Sequence, residues 1–126
     1  MYPDDLKYSK EHEWARVEGN VATIGVTHFA QDQLGDVVYV DLPAKGSEVS
    51  QYGKMGEIES VKSVSDLFSP VGGRVVEVNP AVTDNPETVN DEPYGAGWLI
   101  KVEIADPSQL DALLDSAAYQ ELIADQ

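Results

Sequence analysis

The chain has 126 residues and a formal net charge of −15, from 23 acidic and 8 basic side chains. Its length fits a single domain, and its excess of carboxylates disfavours nucleic acid and anionic membrane surfaces as partners. It has no cysteine, which excludes disulfides, thiolate metal ligands and a cysteine nucleophile, and no apolar run approaches the ~20 residues of a membrane span.

The first third of the chain predicts short strands that lead into one short helix. The segment EWARVEGNVATIGV has two strand-like halves on either side of Gly19-Asn20, a pair that favours a hairpin turn. Thr27 is placed to cap a helix near residues 28–34, and Gly35 is placed to end it. The valine-rich segment DVVYVDLP then predicts a strand that stops at Pro43.

The middle of the chain predicts a hairpin with a lysine at its tip. The segments GKMGEIES and VSDLFSP both have strand character, and they enclose Val61-Lys62-Ser63. Farther along, GRVVEVNP and GWLIKVEI predict two more strands. The segment between them, Pro80 to Gly97, is predicted to be a loop because it is rich in Pro, Asn and Asp.

The end of the chain predicts a helical tail from about residue 107. Asp106 and Pro107 form a helix start, since Pro is favoured in the first helical turn. Leu110, Leu113 and Leu114 then form an apolar stripe, which we expect to pack against the sheets.

An internal near-repeat organises the predicted strands. Residues 35–41, GDVVYVD, resemble residues 73–79, GRVVEVN, and each copy is followed by a glycine-led strand after a proline-containing turn. Two such copies predict a pseudo-twofold pair of antiparallel sheets packed face to face. Lys62 lies in the connection between the copies.

The position of Lys62 permits two interpretations. An exposed lysine is ordinarily a solvated surface charge, and the chain would then be an unmodified interaction module. A Schiff-base lysine is disfavoured, because Glu59 and Asp66 near the tip would stabilise the charged amine. A protruding tip is nevertheless what a modifying enzyme and a swinging cofactor arm both require.

Four segments in order resemble one protein family. ESVKSVSDLFSPVGGRVVEVN is similar to the lipoyl-lysine segment of glycine cleavage system H proteins. LKYSKEHEW, VATIGVTHFAQDQLGDVVYVDLP and VNDEPYGAGWLIKVE resemble other blocks of that family. The resemblance implies a mainly β fold, the lipoyl/biotinyl-like barrel-sandwich hybrid, with residues 1–126 forming one carrier domain.

The resemblance also implies a function. Lys62 matches the lysine that carries covalent lipoate, Glu13 and Asp66 match residues that shelter the loaded arm, and Glu59 is a candidate for recognition by the lipoate-attaching enzyme. The chain would be a carrier and not an enzyme. It would take an aminomethyl group from a pyridoxal-phosphate glycine decarboxylase to a tetrahydrofolate-dependent aminomethyltransferase, and dihydrolipoyl dehydrogenase would reoxidise it.

Several related possibilities stay open or are disfavoured at this stage. A biotin carrier usually has methionines beside its lysine, whereas Val61 and Ser63 stand here. Lipoyl domains of 2-oxoacid dehydrogenases commonly have Asp before the lysine, whereas Val61 stands there in this chain. An H-like protein that relays lipoyl groups to other acceptors remains an alternative. We expect a monomer without a metal site, located in a bacterial cytoplasm or, after processing, in the mitochondrial matrix.

Overall fold

Two antiparallel sheets form the protein in the computed structural model, which describes residues 2–126. The strands are β1 (Lys7–Tyr8), β2 (Glu13–Glu18), β3 (Val21–Val26), β4 (Val37–Asp41), β5 (Glu48–Val49), β6 (Lys54–Ser60), β7 (Val64–Phe68), β8 (Gly73–Val78) and β9 (Ile100–Ile104). The helices are α1 (His28–Leu34), α2 (Pro80–Asp84), α3 (Thr88–Asp91), a 3₁₀ helix (Pro107–Ala112) and α4 (Ser116–Ala124).

The strand orders confirm the predicted fold class. One sheet has six strands in the order β1-β2-β3-β9-β8-β5, and the other has three in the order β4-β6-β7. All their pairings are antiparallel, and the two sheets remain separate layers without closing into one barrel. Within residues 2–126, no helix has the length and apolar character that crossing a membrane requires.

The near-repeat of the sequence has a structural counterpart. In the first copy β4 pairs with β6 in the three-stranded sheet, and in the second copy β8 pairs with β9 in the six-stranded sheet. Both pairs have a register shift at the same place, between Val37 and Tyr39 in one and between Val75 and Glu77 in the other. These residues correspond when the two copies are aligned, so the repeat includes the bulge as well as the strands.

The main core lies between the two sheets. Ile24 and Val102 of the six-stranded sheet are buried in one cluster with Val40, Ile58 and Leu67 of the three-stranded sheet. Burying each such side chain contributes roughly 1.5–3 kcal/mol, so this cluster holds the layers together.

A second, aromatic cluster holds the C-terminal helix in place. Tyr8 of β1 stacks on Tyr119 of α4 with their ring centroids 4.8 Å apart, and both are fully buried with Trp14 of β2. The indole Nε1 of Trp14 donates to the backbone oxygens of Val26 and Pro93, each at 3.0 Å. The cluster fixes α4 against the edge of the six-stranded sheet.

The prediction of a loop from Pro80 to Gly97 was wrong in part. The segment contains α2 and α3, and the side chain of Asn79 caps α2 by accepting a hydrogen bond from the backbone nitrogen of Ala81 at 3.0 Å. Asn79 and Pro80, which are typical of loops, here form the start of the very short helix α2. The last predicted strand also begins later than its glycine, at Ile100.

The predicted helical tail from about residue 107 is present, and the structure divides it into two helices. Asp106 does cap a helix, but it is a 3₁₀ helix that ends at Ala112. Leu114 then forms an antiparallel bridge with Tyr8 before Asp115 caps α4. The leucines pack as expected, since Leu113 is buried in the main core and Leu114 contacts the aromatic cluster. Pairing with β1 interrupts the helix because it satisfies the backbone of Leu114.

Candidate functional site

Lys62 lies at the tip of the hairpin between β6 and β7. The backbone nitrogen of Ser60 donates to the oxygen of Ser63 at 2.8 Å and closes the turn. The buried hydroxyl of Ser60 accepts from the backbone nitrogens of Lys62 and Ser63 at 3.3 and 3.2 Å. Among residues 2–126, no carboxylate lies within 4.0 Å of the Lys62 amine. The turn is therefore well defined, while the amine itself is exposed and has no acidic partner there.

The tip is attached to the junction between α1 and β4. The backbone nitrogen of Val61 donates to the backbone oxygen of Asp36 at 3.0 Å. The Lys62 side chain passes over Gly35, where a Cβ would lie 3.6 Å from its Cε. The side chain of Asn90 fixes this junction, since it donates to the Gly35 oxygen and accepts from the Val37 nitrogen, both at 2.8 Å. Sequence reasoning missed Asn90, because nothing local connects a residue in α3 with a lysine 28 positions earlier.

A cleft of about 370 Å³ opens beside the tip, between the start of β2, helix α1 and the hairpin. It brings together Glu13 and Asp66, the two acids singled out from the sequence, with Ser63 and Ser65 of the hairpin. Its apolar lining comes from Val26, Phe29, Ala30, Leu34, Ile58 and Leu67. The cleft can therefore hold a hydrocarbon chain and present carboxyl groups to its end.

Glu13 is the buried acid of this cleft. Its side chain is 2% exposed, accepts a hydrogen bond from the Ser9 hydroxyl at 2.7 Å, and accepts another from the backbone nitrogen of Phe68 at 3.2 Å. Burial raises the pKa of Glu13 to about 8, against the opposing effect of these two donors. At neutral pH the resting group is thus largely uncharged. Ser9 had not been singled out, although it stands four residues before Glu13.

Asp66 is an exposed acid at the other side of the cleft. Its carboxylate lies 3.3 Å from the amine of Lys54, which also binds Glu57 at 2.9 Å. The sequence placed Asp66 beside Lys62, whereas its ion pair is with Lys54, at the opposite end of β6. All three side chains are about half exposed, so each pair contributes little to stability.

Glu59 lies outside the cleft, on the outer face of the three-stranded sheet. Its neighbours across the strands are Tyr39 on β4 and Val64 on β7, and all three are exposed. In the part of the chain that the structure describes, no basic group pairs with Glu59.

Helix α4 reaches the mouth of the cleft through a polar chain that sequence reasoning missed. The Tyr119 hydroxyl lies 2.8 Å from Nδ1 of His12 and 2.7 Å from the hydroxyl of Thr27, the cap of α1. His12 has a φ of 74°, and burial lowers its pKa. Within residues 2–126, no group of three or more His, Cys, Asp or Glu side chains is placed to hold a metal ion.

Comparison with known proteins identifies the family. The glycine cleavage H-protein family matches residues 6–126. The chain belongs to this family. It is 59% identical to the glycine cleavage system H protein of Symbiobacterium thermophilum over 117 residues, which cover 93% of this chain and 91% of that protein. It is 56% identical to the glycine cleavage system H protein of Myxococcus xanthus over 121 residues, which cover 96% of this chain and 94% of that protein.

A solved structure agrees with this assignment. The crystal structure of a glycine cleavage system H protein from Mycobacterium marinum superimposes with a TM-score of 0.87 at 38% identity, and covers 97% of this chain and 98% of that one. This H-family chain is therefore a lipoyl-bearing carrier of the glycine cleavage system and not a catalyst, and it works with the other proteins of that system. An exposed amine beside an apolar cleft fits such a group.

Proposed function

We propose that Lys62 is the lysine that carries lipoate, joined through an amide at Nζ. The observation that supports it most is an exposed amine, without an acidic partner among residues 2–126, held on a hydrogen-bonded turn beside an apolar cleft. A modifying enzyme can reach such an amine, and the extended side chain can swing over Gly35 toward α1. Residues 1–126 would form one carrier domain.

When bound, the lipoyl group supplies a disulfide that accepts the aminomethyl group of glycine and later releases it. The proposed partners are a pyridoxal-phosphate glycine decarboxylase, a tetrahydrofolate-dependent aminomethyltransferase, dihydrolipoyl dehydrogenase and the lipoate-attaching enzyme. The proposed location is a bacterial cytoplasm or a mitochondrial matrix, and the proposed form is a monomer. The net charge of −15 suits basic docking surfaces on these partners.

The protein's own contribution is a shelter for the loaded arm. We assign Glu13 and Asp66 to the recognition of its protonated amine, because both line the cleft. An arriving ammonium would lower the pKa of Glu13 from about 8, so the group would lose its proton and bind as a carboxylate. The apolar lining would exclude the water that otherwise releases the aminomethyl group.

The test is the lifetime of the loaded protein. Glu13→Gln and Asp66→Asn should still accept lipoate but should release the aminomethyl group faster. A charge-assisted hydrogen bond is worth roughly 1.5–3 kcal/mol, which corresponds to a lifetime about 10- to 150-fold shorter. Decay is followed by mass spectrometry without partner enzymes. Glu57→Gln is the matched control, since Glu57 binds the same Lys54 as Asp66 from outside the cleft lining. Lifetimes equal to wild type in both variants would show that other residues form the shelter.

Glu59 is proposed as a contact for the lipoate-attaching enzyme. It is exposed, three residues before Lys62 and without an ion pair in the described residues. An exposed carboxylate without an ion pair among the described residues is available to a basic side chain of another protein.

A further inference from the structure

The exposed apolar side chains of this protein are concentrated around Lys62. Within residues 2–126, five large apolar side chains are highly exposed, and four of them lie at this end of the three-stranded sheet. They are Val38, Tyr39, Val61 and Val64, with 47–70% of each side chain exposed. The fifth, Tyr52, lies at the other end of β6, about 20 Å away by the rise of a strand. Such a concentration indicates an interaction surface.

The strand register arranges part of this surface in a row. Tyr39 is paired with Glu59 across β4 and β6, and Glu59 is paired with Val64 across β6 and β7. Directly paired residues share one face of a sheet, so two apolar side chains flank one carboxylate. The next row on the same face holds Asp41, Glu57 and Asp66, of which the last two are paired with Lys54.

We infer that the apolar platform formed by Tyr39 and Val64 is the docking surface for the enzyme that attaches lipoate. The inference rests on the proposed function, in which Lys62 is the acceptor. The enzyme surface that fits has a basic side chain opposite Glu59 and apolar groups around it. Once the apolar contacts exclude water, Glu59 is paired and not left as an isolated buried charge.

The length of the lipoyl-lysine arm indicates which of the partners docks on the platform. The lipoate-attaching enzyme must bring its reacting carbon to Nζ of Lys62 itself. In that step the amine attacks an activated lipoyl carboxyl, an adenylate or thioester. The new amide bond forms as the bond to the leaving group breaks, and the nitrogen loses a proton. The other partners react at sulfur, a whole acyl chain beyond Nζ. The attaching enzyme is therefore the partner that must contact the surface next to Nζ.

The test compares initial lipoylation rates of the unmodified chain. The double variant Tyr39→Thr/Val64→Thr keeps strand-favouring residues at exposed positions, so it should unfold at the wild-type urea concentration. With a purified lipoate-attaching enzyme, lipoate and ATP, followed by intact mass, its rate should fall at least about 10-fold, as expected for central contact residues. It should still reach full modification with excess enzyme. Tyr52→Asn is the matched control and should stay within about twofold, because Asn tolerates the φ of 62° found there.

The outcomes separate this inference from the function on which it rests. A double variant that is lipoylated at the wild-type rate would overturn the inference. The same holds if the fully modified double variant supports glycine cleavage poorly, because a different partner would then dock on the platform. A wild-type chain that is not lipoylated on Lys62 would instead refute the proposed function.

Discussion

At the scale of single residues, burial decides what the two cleft acids do. Glu13 is enclosed between the two sheets and is bound by Ser9 from one side and by the Phe68 amide from the other. Its pKa is raised to about 8 because removing the charged form from water costs more than these donors return. Asp66 is half exposed and paired with Lys54. Glu13 is thus a buried acid with a raised pKa, whereas Asp66 lies half in solvent in an ion pair.

The raised pKa predicts how stability depends on pH. A carboxyl whose pKa lies near 4.5 when unfolded and near 8 when folded favours the native state at low pH, and this contribution is lost as the pH rises through 8. The free energy of unfolding of wild type should therefore fall between pH 4.5 and 8 relative to that of Glu13→Gln. Each unit of pKa difference corresponds to about 1.4 kcal/mol.

Urea unfolding at pH 5, 6.5 and 8 measures this difference. Glu121→Gln removes an exposed carboxylate from α4 and controls for the change in net charge. Parallel pH profiles for wild type and Glu13→Gln would mean that Glu13 is already ionised in the folded chain.

The residues of the site differ in how far sequence could predict them. Lys62 could be located because a hairpin tip is a local pattern, with two strand-like segments and three residues between them. Asn90 and Tyr119 could not, since each acts on a part of the site far away in sequence, Asn90 on Gly35 and Tyr119 on His12. The pKa of Glu13 depends on burial between two sheets, which no local pattern contains.

At the scale of elements, the repeat positions the hairpin. Each copy contributes one bulged strand pair, and the β6–β7 hairpin that carries Lys62 extends the first pair. Strands with regular alternation were predictable from local sequence. The short helices α2 and α3 were not, because they lie in a segment of loop-like composition, and the break in the tail was not, because it depends on a bridge to β1 formed in the folded chain.

Close contact between β4 and β6 predicts the effect of one glycine substitution. A Cβ on Gly56 would collide with the backbone oxygen of Asp41, which cannot move without breaking the pairing. Gly56→Ala should therefore lower the free energy of unfolding by roughly 1–3 kcal/mol, as overpacking does. Gly95→Ala is the matched control, because its Cβ would meet nothing closer than Glu92 at 3.5 Å. Equal urea midpoints for the two variants would contradict this account of the strand pair.

At the scale of the whole molecule, a packed body of two sheets presents one exposed lysine at a hairpin tip. The two sheets, the aromatic cluster and α4 fix the turn and the cleft, whereas the Lys62 side chain extends from the tip. The strong negative charge covers a surface that must meet several partners in succession, and charge complementarity mainly accelerates such encounters. A carrier of this kind needs no active site of its own.

The most direct test is to map the modification on the chain. Wild type from a lipoate-competent host, digested and examined by peptide mass spectrometry, should carry one lipoyl group on Lys62. Lys62→Arg should carry none, since a guanidinium does not form the amide, and its stability should stay within about 0.5 kcal/mol of wild type because Lys62 is exposed. A lipoyl group on Lys54 or Lys101, or full glycine cleavage by a folded Lys62→Arg variant, would contradict the assignment of Lys62 as the carrier residue.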